Sequence, residues 1–245
     1  MTLFHKKKKI AALILAAGKG TRFGGELPKQ FLPLDEVPML LYSVDVLSPL
    51  VDRVFLVVSE DETARAEQIL TDAGLGRSVS VLTGGKERYE SSMSGLNALI
   101  AEGGYEYVLI HDAARCLITE DVVLRMIEGV RKDGAVIAAV PSKDTVKIVD
   151  PECRIISTPD RKTCYQVQTP QAFRVDLLKK AYDEAEKTGG LSSLTDDASA
   201  VERFTDHKVR VVLGSEENFK VTTPFDFMLA EAVLTARRLK REAEK

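Results

Sequence analysis

Short apolar runs rich in β-branched residues alternate along this chain with stretches of helical periodicity. The runs are Ile10–Leu15, Val54–Val58, Val79–Thr83, Tyr107–His111, Ala135–Val140 and Val209–Leu213. The helical stretches are Pro38–Leu47, Glu62–Ala73, Ser91–Ala101, Thr119–Val130 and Val175–Glu186. Strands separated by helices are joined by right-handed crossovers and lie parallel to one another. The alternation predicts an α/β fold of the doubly wound, Rossmann-like kind, with a mostly parallel sheet.

Polar segments follow three of the predicted strands. Gly18–Arg22 follows the first run, Gly84–Ser91 the third and Asp112–Arg115 the fourth. In open parallel sheets, ligands bind outside the carboxyl ends of the strands, where such segments meet. We therefore expect one functional site at this edge of the sheet.

The alternating pattern is interrupted after residue 141. Val146–Asp150 and Arg154–Ser157 flank Pro151-Glu152-Cys153, which predicts a β-hairpin. A hairpin inserted into an α/β domain has little core of its own, so it either covers a ligand or reaches a second subunit. We predict a single domain over residues 1–245, with residues 142–168 as an inserted hairpin arm used for dimerisation.

The composition excludes several classes of protein. The chain has 245 residues, of which 44% are hydrophobic, and a formal net charge of −3. These values are typical of a globular protein and argue against a nucleic-acid binder, which normally carries a broad basic patch. No apolar run approaches the ~18 residues of a membrane span. Three scattered cysteines fit a reducing compartment, so we expect a cytoplasmic protein that does not bind membranes.

The first predicted strand runs into a glycine-rich loop that carries positive charge. Residues 13–23 read Leu-Ile-Leu-Ala-Ala-Gly-Lys-Gly-Thr-Arg-Phe, and Pro28-Lys29-Gln30 follows shortly. Backbone N–H groups of such a loop approach an anion closely and cations neutralise it, which is typical of a phosphate site. Phe23 stands where a dinucleotide-binding loop needs its third glycine. The sequence therefore favours a phosphate site over a dehydrogenase.

The loop, together with Pro28-Lys29-Gln30, resembles the signature of nucleotidyltransferases, which join a nucleoside triphosphate to a phosphorylated small molecule. Further motifs narrow the resemblance, and they are Gly84–Ser92, His111–Arg115, Asp144–Lys147, Gln168–Gln171, Thr195–Ser199 and Asn218–Thr222. This ordered set, spread from Ile10 to Ala230, is similar to the 2-C-methyl-D-erythritol 4-phosphate cytidylyltransferase family of the non-mevalonate isoprenoid pathway.

The resemblance implies an enzyme that transfers the cytidylyl group of CTP to 2-C-methyl-D-erythritol 4-phosphate and releases pyrophosphate. The catalytic residues it implies are Arg22, Lys29, Arg161 and Lys220. The nucleotide-binding residues it implies are Ala16, Ala17, Gly18, Gly20, Gly85, Lys86, Arg88 and Ser91. The acceptor-binding residues it implies are Asp112, Arg115, Thr145, Thr169 and Thr195. It also implies Mg²⁺, with Asp112 as a candidate ligand, and a homodimer in which Arg161 reaches the neighbouring subunit's substrate.

Elementary chemistry agrees with this reaction. A phosphate monoester has a second pKa near ~6, so it is an anionic nucleophile at neutral pH and needs no general base. The reaction needs cations that bring two anions together and stabilise charge at phosphorus. Arg22, Lys29 and Lys220 meet that need, whereas His111 is expected to be a strand-terminal residue held by local hydrogen bonds.

The residues leave several alternatives open. The acceptor can be another polyol phosphate, such as ribitol 5-phosphate, because enzymes of that kind share this loop and fold. A non-catalytic nucleotide-binding regulator is a further possibility. Asp112 can contact the metal or the acceptor, or it can brace the turn that follows it. Thr195-Asp196-Asp197 is typical of a helix N-cap, and a cap residue can also contact a ligand.

Overall fold

The computed structural model describes residues 8–18 and 28–243. Its strands are β1 (Lys9–Leu15), β2 (Pro33–Leu34), β3 (Val37–Pro38), β4 (Arg53–Val58), β5 (Val79–Thr83), β6 (Tyr105–Asp112), β7 (Ala135–Pro141), β8 (Ile148–Val149), β9 (Ile155–Ser157), β10 (Tyr165–Arg174) and β11 (Arg210–Leu213). Its α-helices are α1 (Met39–Leu47), α2 (Thr63–Asp72), α3 (Arg88–Glu102), α4 (Glu120–Asp133), α5 (Val175–Lys187), α6 (Asp197–Phe204) and α7 (Pro224–Ala243).

Seven strands form one sheet in the order β11-β7-β10-β6-β1-β4-β5. Neighbouring strands pair in parallel except at β10, which is antiparallel to both β6 and β7. The predicted doubly wound, mostly parallel sheet is confirmed. Strand β10 was not predicted from the sequence. Its pairing with β7 shifts register between Val167 and Gln171, around Pro170, which has no N–H to donate to the ladder.

Strand β1 is buried on both faces of the sheet. Ile10 and Ile14 pack in an apolar cluster with α1, α2 and α4, whereas Leu13 and Leu15 pack in a second cluster with α3, α5 and α6. Fully burying an aliphatic side chain of this size contributes roughly 1.5–3 kcal/mol relative to leaving it exposed. The carboxyl end of β1, from which the glycine-rich loop departs, is therefore firmly anchored in the core.

Helix α3 packs closely on the sheet at Gly95. A Cβ atom at this position would lie 2.9 Å from Leu13 Cδ1 and 3.3 Å from Val57 Cγ2. The missing side chain thus lets the helix pack directly on β1 and β4. This packing brings the first turn of α3, which begins at Arg88, to the carboxyl edge of the sheet.

Local capping groups define the ends of two helices. Thr223 Oγ1 accepts a hydrogen bond from the Asp226 N–H (3.2 Å), and Pro224 is the first residue of α7. Gly134 ends α4 in the left-handed conformation, with φ of 78°. Thr119 is the N-cap of α4, but its hydroxyl bonds to the Asp121 carboxylate rather than to a helix N–H group.

The predicted hairpin is confirmed, since β8 and β9 pair in antiparallel fashion. It belongs to the connection between β7 and β10, and it exposes Ile148, Ile155 and Ile156. The interval 142–168 contains this hairpin and the first residues of β10. None of the helices in the described ranges combines the length and the apolar character that crossing a bilayer requires.

We expect Gly95→Val to lower the free energy of unfolding by about 1–3 kcal/mol, because the new side chain overpacks the interface of α3 with the sheet. Urea denaturation followed by circular dichroism measures the loss. Asn97→Ala, on the exposed side of the same helix, is the control and should change the free energy by less than about 0.5 kcal/mol. Equal stability of the two variants would contradict the close packing of α3.

Candidate active site

A cleft opens at the carboxyl ends of β1, β5 and β6. We call it the central cleft, and it is lined by Leu15, Ala16, Ala17, Gly18, Lys29, Gln30, Gly85, Lys86, Glu87, Arg88, Ser91, Asp112, Ala113, Ala114, Lys220 and Thr222. The described nucleotide-binding residues predicted from the sequence all line it. Gly20 and Arg22 lie outside the described residues.

The loop after β1 is fixed at its start by backbone and side-chain hydrogen bonds. The Ala16 N–H donates to the carbonyl of Val57 (2.7 Å), so the residue is still aligned with β4. The buried Gln30 donates through Nε2 to the carbonyls of Ala16 and Gly18. The sequence analysis included Gln30 in a motif but assigned it no role. Its two bonds make it a positioning residue for this loop.

The loop between β5 and α3 folds tightly against the first turn of the helix. The Gly85 N–H donates to Ser91 Oγ (3.2 Å), and the Glu87 N–H donates to the Glu90 carboxylate (2.9 Å). A Cβ atom on Gly85 would lie 2.2 Å from the Cβ of Glu90. Any side chain at Gly85 would therefore push the loop away from the helix and into the cleft.

Asp112, the last residue of β6, pairs with two cations from distant parts of the chain. Arg88 Nε lies 3.1 Å from Oδ1, and Lys220 Nζ lies 2.7 Å from Oδ2. Burial alone would raise the pKa of this carboxyl, but the charges of Arg88 and Lys220 outweigh burial and hold the pKa well below its ordinary value. Asp112 is therefore ionised throughout the physiological pH range.

Arg88 also pairs with a second, fully buried carboxylate. Its Nη1 lies 2.7 Å from Asp197 Oδ2, and the hydroxyl of Tyr182 donates to Asp197 Oδ1 (2.6 Å). Burial would lower the pKa of Arg88, but Asp197 and Asp112 raise it above its ordinary value. The sequence analysis grouped Arg88 with the nucleotide contacts and assigned no function to Asp197 or Tyr182. The side chain of Arg88 bridges two carboxylates.

His111 is fully buried next to Asp112. Its Nδ1 lies 3.1 Å from Thr169 Oγ1, and its Nε2 lies 3.2 Å from the carbonyl oxygen of Arg115. The expectation that local hydrogen bonds hold this residue is confirmed. Burial lowers the pKa of His111 to about 4, so the ring is neutral at physiological pH. The hydroxyl of Thr169 is buried as well and accepts from the Asp112 N–H (3.0 Å).

The segment that carries Lys220 packs against the turn that follows Asp112. Arg115 donates through Nη1 to the carbonyl of Asn218 (2.9 Å), and the Val221 N–H donates to the carbonyl of Ala114 (2.8 Å). Lys29 Nζ donates to the carbonyl of Val221 (2.6 Å). Two of the predicted catalytic cations, Lys29 and Lys220, thus meet at one side of the central cleft.

The remaining predicted residues lie outside the central cleft. Thr195 is exposed and lines an adjoining cavity that also includes Arg88. The interpretation of its neighbour as a helix cap is confirmed, because Asp196 Oδ1 accepts from the Ser199 N–H (2.9 Å). Thr145 and Arg161 lie exposed in the arm, where Arg161 Nη1 donates to the carbonyl of Lys143 (3.0 Å).

Comparison with known proteins gives consistent similarities. A model of the family described as IspD, 2-C-methyl-D-erythritol 4-phosphate cytidylyltransferase, matches residues 10–236. The chain is 42% identical over 229 residues to the protein of that name from Geobacter metallireducens, covering 92% of this chain and 97% of the relative. It is 40% identical over 233 residues to the one from Alkaliphilus metalliredigens, covering 94% of this chain and 95% of the relative.

Comparison with solved structures agrees with these sequence similarities. A solved 4-diphosphocytidyl-2C-methyl-D-erythritol synthase from Anaerococcus prevotii superposes with a TM-score of 0.79 and 34% identity, covering 93% of this chain and 99% of that chain. The span matched by the family model includes every described segment that lines the central cleft.

We expect Asp197→Asn to lower the free energy of unfolding by ~3–5 kcal/mol, because it leaves the charge of Arg88 only partly compensated in a buried place. Chemical denaturation at neutral pH measures the change. Asp183→Asn is the matched control, because Asp183 pairs with Lys179 on the exposed surface of α5 and its loss should cost less than about 1 kcal/mol. Similar losses in both variants would show that the Arg88–Asp197 pair does not stabilise the fold.

Proposed function

The chain belongs to the family of 2-C-methyl-D-erythritol 4-phosphate cytidylyltransferases, and on that basis we propose that it transfers the cytidylyl group of CTP to 2-C-methyl-D-erythritol 4-phosphate. An oxygen of the acceptor phosphate attacks the α-phosphorus of CTP, the bond between the α- and β-phosphates breaks, and pyrophosphate leaves. The product, 4-diphosphocytidyl-2-C-methyl-D-erythritol, belongs to the non-mevalonate isoprenoid pathway. The observation that carries the proposal is the convergence of Lys29 and Lys220 beside Asp112.

The two lysines supply what this reaction requires. The acceptor phosphate is already anionic at neutral pH, so its attack needs no general base. This agrees with His111, whose ring nitrogens are both bonded inside the protein. Lys29 and Lys220 reduce the repulsion between the acceptor phosphate and the triphosphate, and they stabilise the charge that develops around the α-phosphorus. A role for Arg22 beside them stays a prediction, because this residue lies outside the described ranges.

The nucleotide is proposed to bind between the loop after β1 and the first turn of α3. Ala16, Ala17, Gly18 and the Gly85–Lys86 backbone offer small groups and peptide N–H groups that a base and ribose can approach closely. Ser91 contributes by holding the Gly85 peptide. In this proposal, Arg88 acts on the nucleotide indirectly, since its guanidinium is engaged by Asp112 and Asp197.

The acceptor is proposed to bind on the side of Asp112, next to the cavity lined by Thr195. Asp112 and the hydroxyl of Thr195 suit hydroxyl groups of a polyol, and Arg115 suits its phosphate. Arg115 Nη1 and Nη2 bond to the carbonyls of Asn218 and Val167, and its Nε is a buried donor without a partner among the described residues. The hydroxyl of Thr169 already bonds to Asp112 and His111, and we propose that it supports the subsite from behind.

A magnesium ion is proposed to accompany the triphosphate. In the described part of the chain, no group of three or more His, Cys, Asp or Glu side chains can hold a metal ion. Mg²⁺ typically binds through one or two carboxylates together with water and substrate phosphates, so Asp112 alone fits it as a protein ligand. The ion would neutralise negative charge on the phosphates, and Asp112 would orient it.

The arm is proposed to join two copies of the chain into a homodimer. Its exposed apolar side chains are Val146, Ile148, Val149, Ile155, Ile156, Tyr165 and Val167. Exposed apolar side chains that gather in one segment are typical of an interaction site. We propose that the arm of one protomer, with Thr145 and Arg161, reaches the acceptor phosphate of its partner. A cytoplasmic location stays a prediction from the cysteines.

We expect pyrophosphate release from CTP and Mg²⁺ when 2-C-methyl-D-erythritol 4-phosphate is the acceptor. Lys220→Met should reduce kcat by ~10²–10³, because one cation is lost from the transition state. A coupled pyrophosphate assay with a panel of phosphorylated polyols measures both effects. Lys180→Met, on the exposed surface of α5, is the matched control and should keep the wild-type rate.

Two outcomes of this assay would contradict the proposal. Turnover with ribitol 5-phosphate but none with 2-C-methyl-D-erythritol 4-phosphate would assign a different acceptor. Tight binding of CTP with no turnover on any acceptor would indicate a nucleotide-binding regulator.

We expect Arg161→Ala to reduce kcat, and mixing it with an inactive Lys29→Ala chain to restore part of the activity. If Arg161 acts across subunits, each mixed dimer contains one site with both residues intact. Mixed dimers isolated with two affinity tags, together with the molar mass from light scattering, test this arrangement. Arg154→Ala is the matched control, because Arg154 bonds to Asp150 and Glu152 within the hairpin. Verified mixed dimers that recover no activity would refute supply across subunits.

A further inference from the structure

We propose that His111 is a positioning residue for the Asp112 carboxylate, acting through Thr169 on one side and through the turn ending at Arg115 on the other. The side chain is fully buried and is not among the residues that line the central cleft. The hydrogen bonds themselves are independent of the reaction, whereas their kinetic consequence rests on the proposed cytidylyl transfer.

The direction of each hydrogen bond follows from the partner groups. The carbonyl of Arg115 can only accept, so the nitrogen that contacts it, Nε2, carries the ring proton. Nδ1 of the neutral ring then accepts from the Thr169 hydroxyl. The same hydroxyl oxygen accepts from the Asp112 N–H. Every donor in this series of hydrogen bonds has an acceptor, which defines one tautomer of His111.

The imidazole spans the turn between Asp112 and Arg115. One ring nitrogen reaches the backbone N–H of Asp112 through Thr169, and the other reaches the carbonyl of Arg115 directly. The turn itself is closed by the Arg115 N–H, which donates to the carbonyl of Asp112 (2.9 Å). The ring therefore fixes the distance between the two ends of the turn.

The same turn fixes the segment that carries Lys220. Arg115 bonds to the carbonyl of Asn218, the Val221 N–H bonds to Ala114, and Asn218 Nδ2 donates to the carbonyl of Thr169 (2.8 Å). These hydrogen bonds thus form a closed network that begins and ends at the Asp112–Lys220 pair. A change at His111 moves both members of that pair relative to the cleft.

His111 does not touch the reacting groups in this arrangement. Both ring nitrogens are occupied by protein groups, and the ring is not part of the cleft surface. Loss of the ring should therefore affect the alignment of Asp112 and Lys220 more than the affinity for the nucleotide. Partners that orient a site residue from behind typically contribute ~10- to 100-fold to activity.

The kinetic test compares variants of His111 and Thr169. His111→Leu should lower kcat by ~10- to 100-fold while KM for CTP changes by less than about threefold. His111→Asn carries an amide oxygen that can replace Nδ1 as the acceptor for Thr169, so it should recover part of kcat although the bond to the Arg115 carbonyl is lost. Leu70→Ala, a buried position in α2 away from the cleft, is the stability control and should keep the wild-type kcat.

A double-mutant cycle tests the path through Thr169. Thr169→Val removes the hydroxyl at nearly constant volume, so it should lower kcat to an extent similar to His111→Leu. Because both changes break one connected path, the double variant should lose no more than the more impaired single variant. The proposal would be overturned if the loss of kcat in the double variant equalled the product of the two single losses. It would also be overturned by an unchanged kcat in His111→Leu, or by no recovery in His111→Asn.

Nitrogen-15 NMR of the histidine rings in the wild-type chain tests the arrangement without replacing His111 itself. The chain has three histidines, so the signal of His111 can be assigned by comparison with single replacements of the other two. We expect the neutral tautomer with the proton on Nε2. A proton on Nδ1 would overturn the hydrogen-bond scheme. Absence of turnover with 2-C-methyl-D-erythritol 4-phosphate would refute the proposed function and leave this readout unaffected.

Discussion

The Asp112 carboxylate lies between two cations that come from opposite parts of the chain. Arg88 begins α3, and Lys220 follows the last strand of the sheet by several residues. A buried carboxylate without such partners would cost several kcal/mol, so the fold has to bring both cations to the end of β6. Asp112 balances only one of the two positive charges of Arg88 and Lys220. The negative charge of Asp197, which also pairs with Arg88, balances the other. Lys29 adds a further positive charge at the cleft, where its Nζ donates to the carbonyl of Val221, next to Lys220 in the chain.

The sequence was sufficient for those parts of the fold that repeat a local pattern. Apolar runs such as Ile10–Leu15 predicted the parallel strands, and their order along the chain predicted which edge of the sheet carries the site. Strand β10 could not be predicted in this way. Its sequence contains three glutamines and Pro170, a residue that rarely lies in a central strand, and only pairing with β6 and β7 makes the segment a strand.

The candidate site, like the fold, could be predicted from the sequence only in part. The motifs identified the residues that line the central cleft, but they could not show which side chains contact one another. Arg88 is 109 residues from Asp197, and no periodicity or spacing connects the two. The role of Gln30 was missed for a similar reason, since it acts through the carbonyls of Ala16 and Gly18, which any residue would provide. Contacts of this kind depend on tertiary packing and not on the identity of the partner residue.

Strand β7 has a consequence for the order in which the molecule forms. Its neighbours in the sheet, β10 and β11, both follow it in the chain. During synthesis, β7 therefore leaves the ribosome as an apolar strand without a partner until residues 165–174 have followed it, and unpaired edges of this kind favour aggregation. Strands β1, β4, β5 and β6 can pair with one another earlier. The nascent chain can thus order the half that carries Asp112 first, and the cation that completes its pair arrives only with residue 220.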